Sequence, residues 1–105
     1  MEYMDNFDFG RFSDPALLIL TSLAGGEKHG YAMMEDIEAM TGVRLGPGTL
    51  YGALSRLEQS GLIEALPADE RRRPYKLTTR GNAYLRQTLN SLGNFVSQGL
   101  HRLEA

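Results

Sequence analysis

The side chains able to do chemistry gather in two stretches. Residues 71–80 read Arg-Arg-Arg-Pro-Tyr-Lys-Leu-Thr-Thr-Arg and hold five of the eleven basic residues with no acid among them. Upstream, residues 46–61 read Gly-Pro-Gly-Thr-Leu-Tyr-Gly-Ala-Leu-Ser-Arg-Leu-Glu-Gln-Ser-Gly. At about 100° per residue, Leu50, Ala53, Leu54 and Leu57 form one apolar stripe of a helix. Gly48, Gly52, Ser55 and Gln59 fall on the opposite face, flanked by Tyr51 and Arg56. A face this small and polar can approach a grooved surface closely, as a helix in a DNA major groove must. An ordinary amphipathic surface helix has the same pattern, and this segment alone leaves both readings open. The cationic stretch shifts the balance. With a net charge of −2 overall, the chain outside residues 71–80 carries −7, so positive potential is gathered where a phosphate backbone could meet it.

Catalytic readings find less support. Gly46-x-Gly48 is a fragment of a dinucleotide fingerprint, but Tyr51 stands where the third glycine belongs and no βαβ unit frames it. His29 and His101, with no cysteine and no His-x-x-x-His spacing, do not make a zinc set. His29 reads as a loop or helix-start residue. Ser55, Ser60 and Ser91 lack the context of a nucleophile elbow. Met33, Met34 and Met40 share one helix and read as core filler. We expect no catalysis, no metal and no cofactor.

The elements that would position these residues follow from the rest of the 105-residue chain, which is short enough for one domain. Without its first dozen residues and a long last helix, about 65 residues remain, a body that buries roughly 60% of its unfolded surface and gains from a second chain. The lack of cysteine suits a reducing cytosol. No apolar run reaches the ~18 residues of a membrane span and no basic leader opens the chain, so a cytoplasmic protein is expected. Residues 1–13 are acidic and aromatic without clean periodicity and read as an arm or a short docking helix. Asp14-Pro15 is a helix start, an N-cap acceptor before a first-turn proline. Leu17 to Leu20 and Leu23 are apolar nearly all round, the mark of a buried central helix that Gly25-Gly26 ends.

A second helix begins near Gly30, with Met33, Ile37 and Met40 as its buried stripe and Glu35, Asp36 and Glu38 in solvent. Tyr31 lies in its first turn, away from the core and beside Lys28 and His29, where a phosphate would be attracted. Half-burial of that tyrosine against a neighbouring loop is the other reading. Thr41-Gly42 stops the helix, and a brief connection leads to the Pro47 helix, which Gly61 closes. Two helices joined this way make a helix-turn-helix. Residues 62–66 then have the content of a short strand, 67–72 form a polar turn, and 73–78 alternate, with Tyr75 and Leu77 on one face. The result is a basic hairpin, with Pro74 at an outer edge or a loop boundary.

Thr78 or Thr79 caps a last helix running toward Leu103. Leu85, Leu89, Leu92, Val96, Gly99 and Leu103 repeat as a heptad seam. Some 25 residues span about 37 Å, too long for so small a core to cover, so the seam is expected to meet another chain. A helix folded back over its own domain is the competing arrangement. The fold class expected is mainly α with a small β-hairpin: a winged helix-turn-helix over residues 14–78 and a long C-terminal dimerisation helix over 79–105.

With these residues in view, the chain resembles the PadR family of bacterial transcriptional regulators. The resemblance is carried by Lys28-His29-Gly30-Tyr31, by Gly46-Pro47-Gly48-Thr49-Leu50-Tyr51 with Ala53-Leu54, and by Arg56-Leu57-Glu58 and Gly61-Leu62-Ile63. It continues through Arg72-Arg73, Tyr75, Leu77-Thr78 and Gly81, and spans roughly residues 17–85. It implies a homodimeric winged-helix repressor whose C-terminal helices form the dimer contact, in which short members hold small, often aromatic effectors. Three departures stand out: Gly46 where the family commonly has serine, Pro74 in place of a basic or polar wing residue, and a last helix without tryptophan. Stacking on an effector would therefore fall to Tyr84, Phe95 or an N-terminal aromatic.

The expected DNA-binding set is Lys28, His29, Tyr31, Gly48, Thr49, Tyr51, Ser55, Arg56, Gln59, Arg71, Arg72, Arg73 and Lys76. Arg56 suits guanine O6/N7 and Gln59 an adenine edge, but recognition helices read mainly from their N-terminal residues, which ranks Thr49, Tyr51 and Ser55 higher. The wing cations would hold phosphates or reach the minor groove. The expected dimer interface is Leu85, Leu89, Leu92, Phe95, Val96, Gly99 and Leu103, with a pseudo-palindromic double-stranded operator as partner. A winged-helix protein-interaction module is the rival, compatible with the negative balance outside the wing.

Overall fold

The computed structural model describes residues 14–105, so the expected arm or short helix at 1–13 lies outside the described residues. The elements are α1 (Pro15–Ala24), β1 (Lys28–His29), α2 (Gly30–Thr41), α3 (Pro47–Gln59), β2 (Ile63–Ala65), β3 (Pro74–Leu77) and α4 (Thr79–Glu104). The Asp14 carboxylate accepts from the Ala16 N–H at 3.1 Å, and Pro15 fills the first helical position. The helix so started buries Leu18, Ile19, Leu20 and Leu23 and touches α2, α3, β3 and α4. It is the centre of the body because it is apolar on every side.

Around it the core is completed by Met33 and Ile37 from α2, Leu50, Ala53, Leu54 and Leu57 from α3, Leu45, Ile63 and Leu85. The apolar stripe of α3 is buried as its periodicity requires. Met40 is not. It is 45% exposed, because α2 ends one residue later and its last turn runs past the core. Asp36 and Glu38, expected in solvent, remain partly exposed, and each also takes a partner. The buried Ser22 hydroxyl donates to Asp36 at 2.7 Å, tying α1 to α2, and Glu38 pairs with Arg44.

The hairpin expected from the sequence is two strands of a three-stranded antiparallel sheet ordered β1-β3-β2. Lys28 pairs with Tyr75 and His29 with Pro74, while Ile63, Glu64 and Ala65 pair with Leu77, Lys76 and Tyr75. The third strand was illegible because two residues carry no alternation. Pro74 opens the central strand at the loop boundary, where a missing N–H removes no interior ladder bond, and its carbonyl accepts from Leu66 at 2.8 Å. At the tip, Asp69 and Arg72 exchange backbone hydrogen bonds across Glu70 and Arg71, whose φ values are 49° and 73°. Two successive left-handed residues match the twist of a tight hairpin, here without the usual asparagine or glycine.

α3 ends in a Schellman arrangement, with Leu62 N–H on Leu57 O at 3.1 Å and Gly61 N–H on Glu58 O at 3.0 Å. Gly46 caps its start without a side-chain bond, as expected from the missing hydroxyl. Thr78 then sets the departure of α4. Its hydroxyl donates to Gly61 O at 2.6 Å and accepts from Gly81 N–H at 2.9 Å, and its N–H donates to Leu62 O at 3.1 Å. Gly81 is required in this crossing, since an added Cβ would lie 2.8 Å from the Leu62 carbonyl carbon.

Leu85 is 4% exposed and belongs to the core of its own chain, so it is not available to the seam in which it was expected. The geometry fixed by Thr78 and Gly81 points this first turn and a half of α4 into α1. Beyond it the helix leaves the body, and the described residues extend over 53 × 31 × 20 Å. Leu89, Leu92, Val96 and Leu103 are exposed, as are Phe95 and Leu100. No described helix is long and apolar enough to cross a membrane.

Candidate nucleic-acid interface

Burying Leu50, Ala53, Leu54 and Leu57 turns the opposite side of α3 outward, and Gly48, Thr49, Tyr51, Ser55, Arg56 and Gln59 are all exposed. Pairing β3 with β2 does the same for the wing, where Arg71, Arg72, Arg73 and Lys76 are exposed. The start of α2 lies between these two groups. His29, Gly30, Tyr31 and Tyr51 line one cleft of about 650 Å³ together with Tyr75 and the three wing arginines. Residues separated by forty positions in the chain thus share one concave surface because β1 adds to the wing sheet and runs directly into α2.

His29 is the hinge of this arrangement. It is the N-cap of α2, its Nδ1 accepting from the Ala32 N–H at 3.4 Å, and its Nε2 lies 3.2 Å from Arg72 Nη1. Both neighbours are donors, and a neutral imidazole accepts at one nitrogen only, so the two contacts compete. Arg73 Nη1 donates to Leu66 O at 3.1 Å across the hairpin. Neither contact neutralises charge. The ion pairs among the described residues are Lys28–Asp36 at 3.9 Å and Arg44–Glu38, and no wing arginine takes part in either.

Lys28 departs from expectation. Its ammonium donates to Ser22 O at 2.6 Å and Gly26 O at 3.2 Å and faces Asp36, so it satisfies the carbonyl end of α1 instead of standing free for a phosphate. Tyr31 is 57% exposed on the cleft wall, which leaves its ring accessible. Burial of the Tyr75 phenol, with the Glu58 carboxylate nearby, holds its pKa above the ordinary tyrosine value; Arg73 acts in the opposite direction. Tyr75 is therefore a neutral hydrogen-bonding group in the cleft.

Gly30, Glu35 and Tyr75 also line the cleft, and the sequence reading did not assign them to it. The signal for Gly30 was present: glycine opening a helix, where alanine would be favoured, points to a close approach. Here the approach is Tyr51, whose Cζ would stand 2.9 Å from a Cβ at position 30. Tyr84 and Phe95, the candidate stacking residues, are both exposed on α4 but eleven residues apart, about 16 Å along the axis. One chain does not bring them together on a single flat ligand. His29 lies in β1 and His101 on α4, and among the described residues no three potential ligands converge.

The family model for the transcriptional regulator PadR-like family matches residues 19–87, which covers the buried core, the exposed helix and the wing. The chain is 39% identical over 87 residues to the transcriptional regulator Rv3488 of Mycobacterium tuberculosis, an alignment covering 80% of each protein. It is 45% identical over 82 residues to an uncharacterised 37.1 kDa protein in transposon Tn4556 of Streptomyces fradiae. There the match covers 78% of this chain but 24% of that protein. In fold it is similar to a PadR family transcription regulator from Clostridium difficile R20291, with a TM-score of 0.74 at 24% identity, over 87% of this chain and 98% of that one. With winged-helix architecture, family motifs and family model in agreement over the same residues, the chain belongs to the PadR-like family of transcriptional regulators.

Proposed function

We propose that the protein is a cytoplasmic, homodimeric, sequence-specific DNA-binding repressor. The observation that carries this reading is one side of the molecule. Tyr51, on the lean outer face of α3, and three arginines without carboxylate partners among the described residues line the same cleft. Thr49, Tyr51, Ser55, Arg56 and Gln59 would enter the major groove, with Gly48 allowing the backbone close. Arg71, Arg72, Arg73 and Lys76 would hold phosphates and set register, and His29 and Tyr31 would support them from α2.

Dimerisation is proposed from α4. Leu89, Leu92, Val96 and Leu103 expose an apolar stripe past the end of the core, widened by Leu100 and Phe95, and Gly99 lies within it. A patch of this kind on a small protein marks an interaction surface. Two copies related by a twofold axis imply half-sites about one helical turn (~10 bp) or a multiple apart. An effector between the paired helices, stacking on Tyr84 or Phe95, would alter that spacing and release the operator, by no more than its differential affinity for the two geometries.

The test is retardation of the chain's own upstream region at low salt, with a scrambled duplex as competitor. A complex that survives the competitor supports the proposal. No retardation at low salt, where phosphate contacts are strongest, would leave the protein-interaction module as the better reading.

A further inference from the structure

Position on α3 alone assigns Tyr51 to the base-reading side with Ser55 and Gly48. Its ring does not stand out from the helix in that direction. A Cβ placed on Gly30 would lie 2.9 Å from Tyr51 Cζ, 3.1 Å from Cε1 and closer still to the hydroxyl. The phenol therefore occupies the space that a side chain at position 30 would need. Gly30 is buried, Tyr51 is half exposed, and the Tyr75 phenol is near enough to feel Tyr51 electrostatically. Laid against Gly30, the ring lines the cleft that Arg71, Arg72 and Arg73 also border.

We propose that Tyr51 holds the DNA backbone instead of reading a base, and that Gly30 is the positioning residue that aims it. The proposal rests on the DNA-binding reading above. In a duplex the groups drawn to a cluster of guanidiniums are phosphates, so a neutral hydroxyl in the same cleft donates to a phosphate oxygen. Base edges then face the strip of Gly48, Gly52 and Ser55. Arg56 lies along that strip, its Nη1 3.6 Å from the Cβ position of Gly52. Thr49, Ser55 and Arg56 become the reading set.

The experiment measures affinity for the operator and for a panel of its single-base variants. Tyr51→Phe is expected to weaken every duplex by the same factor, about tenfold for one lost hydrogen bond to a charged acceptor, without changing the salt slope. Gly30→Ala should weaken binding in the same uniform way, and Gly30→Ala with Tyr51→Phe should be no worse than Tyr51→Phe alone. Gly30 does not have a positive φ, so alanine is compatible with the helix start. In the free protein, an NOE between the Gly30 α-protons and the Tyr51 ring is expected. Relaxed discrimination at one base-pair position on Tyr51→Phe, multiplicative losses in the double variant, or no such NOE would overturn the proposal. Wild-type protein that binds no duplex would remove the DNA-binding reading as well, whereas a position-specific loss removes only the role given to Tyr51.

Discussion

Neutralising the wing offers the sharpest test of the interface, through Arg71→Gln, Arg72→Gln and Arg73→Gln together. Arg72 contacts an imidazole and Arg73 a backbone carbonyl, both uncharged partners, and the ion pairs among the described residues leave all three arginines out. On the proposed reading each guanidinium therefore brings its full charge to DNA. With about 0.9 units of log affinity per log salt for each phosphate contact, the triple variant should flatten the slope by about 2–3 units. Between about 50 and 200 mM salt, that difference amounts to roughly 40-fold less loss of affinity than in wild type. Giving up the His29 and Leu66 contacts costs about 1 kcal/mol each and changes affinity at every salt concentration, not the slope. Lys28→Gln is the internal control, because Asp36 and the α1 carbonyls already hold that ammonium. Fluorescence anisotropy titrations at four or five salt concentrations read both. A triple variant with the wild-type slope, or a full unit lost in Lys28→Gln, would refute this assignment of charge to phosphate.

Two further predictions concern the scaffold. Val96→Glu on α4 replaces a side chain that is 54% exposed in the single chain, so the fold should lose no more than about 0.5 kcal/mol. The proposed dimer should dissociate, which sedimentation velocity at micromolar concentration would show, and a variant sedimenting like wild type would argue against the seam. Gly81→Ala should cost about 1–3 kcal/mol in urea unfolding, because the added Cβ meets the backbone of Leu62, which cannot rotate away as a side chain would. A variant as stable as wild type would mean that α4 leaves the body by a looser route than the Thr78 clamp implies.

Helices and their ends were legible because their causes are local. Asp14-Pro15, Thr41-Gly42, Pro47 and Gly61 each act within a few residues of themselves and where the sequence placed them, and of the two candidate caps Thr78 and Thr79 it is Thr78 that starts α4. The buried stripe of α3, and with it the outward reading face, follows from a 3.6-residue period that needs no knowledge of the partner. The placement of residues 71–80 opposite an acidic remainder was likewise a matter of counting.

Other features depended on what folding brings together. β1 is two residues long and exists because β3 offers it a partner, so nothing in Lys28-His29 announced a strand. Lys28 looked free until α1 presented its carbonyls and α2 presented Asp36. Leu85 and Leu89 have the same side chain and lie on the same heptad seam; only the angle at which α4 crosses Leu62 buries the first and exposes the second. Tyr51 belongs to the outer face by periodicity, yet its direction is decided by the missing side chain of Gly30, twenty-one residues away. The sequence by itself determined the helices, the hairpin and the family. The tertiary structure alone decided which cations stay free and where the tyrosine points, because both depend on long-range neighbours that no local period encodes.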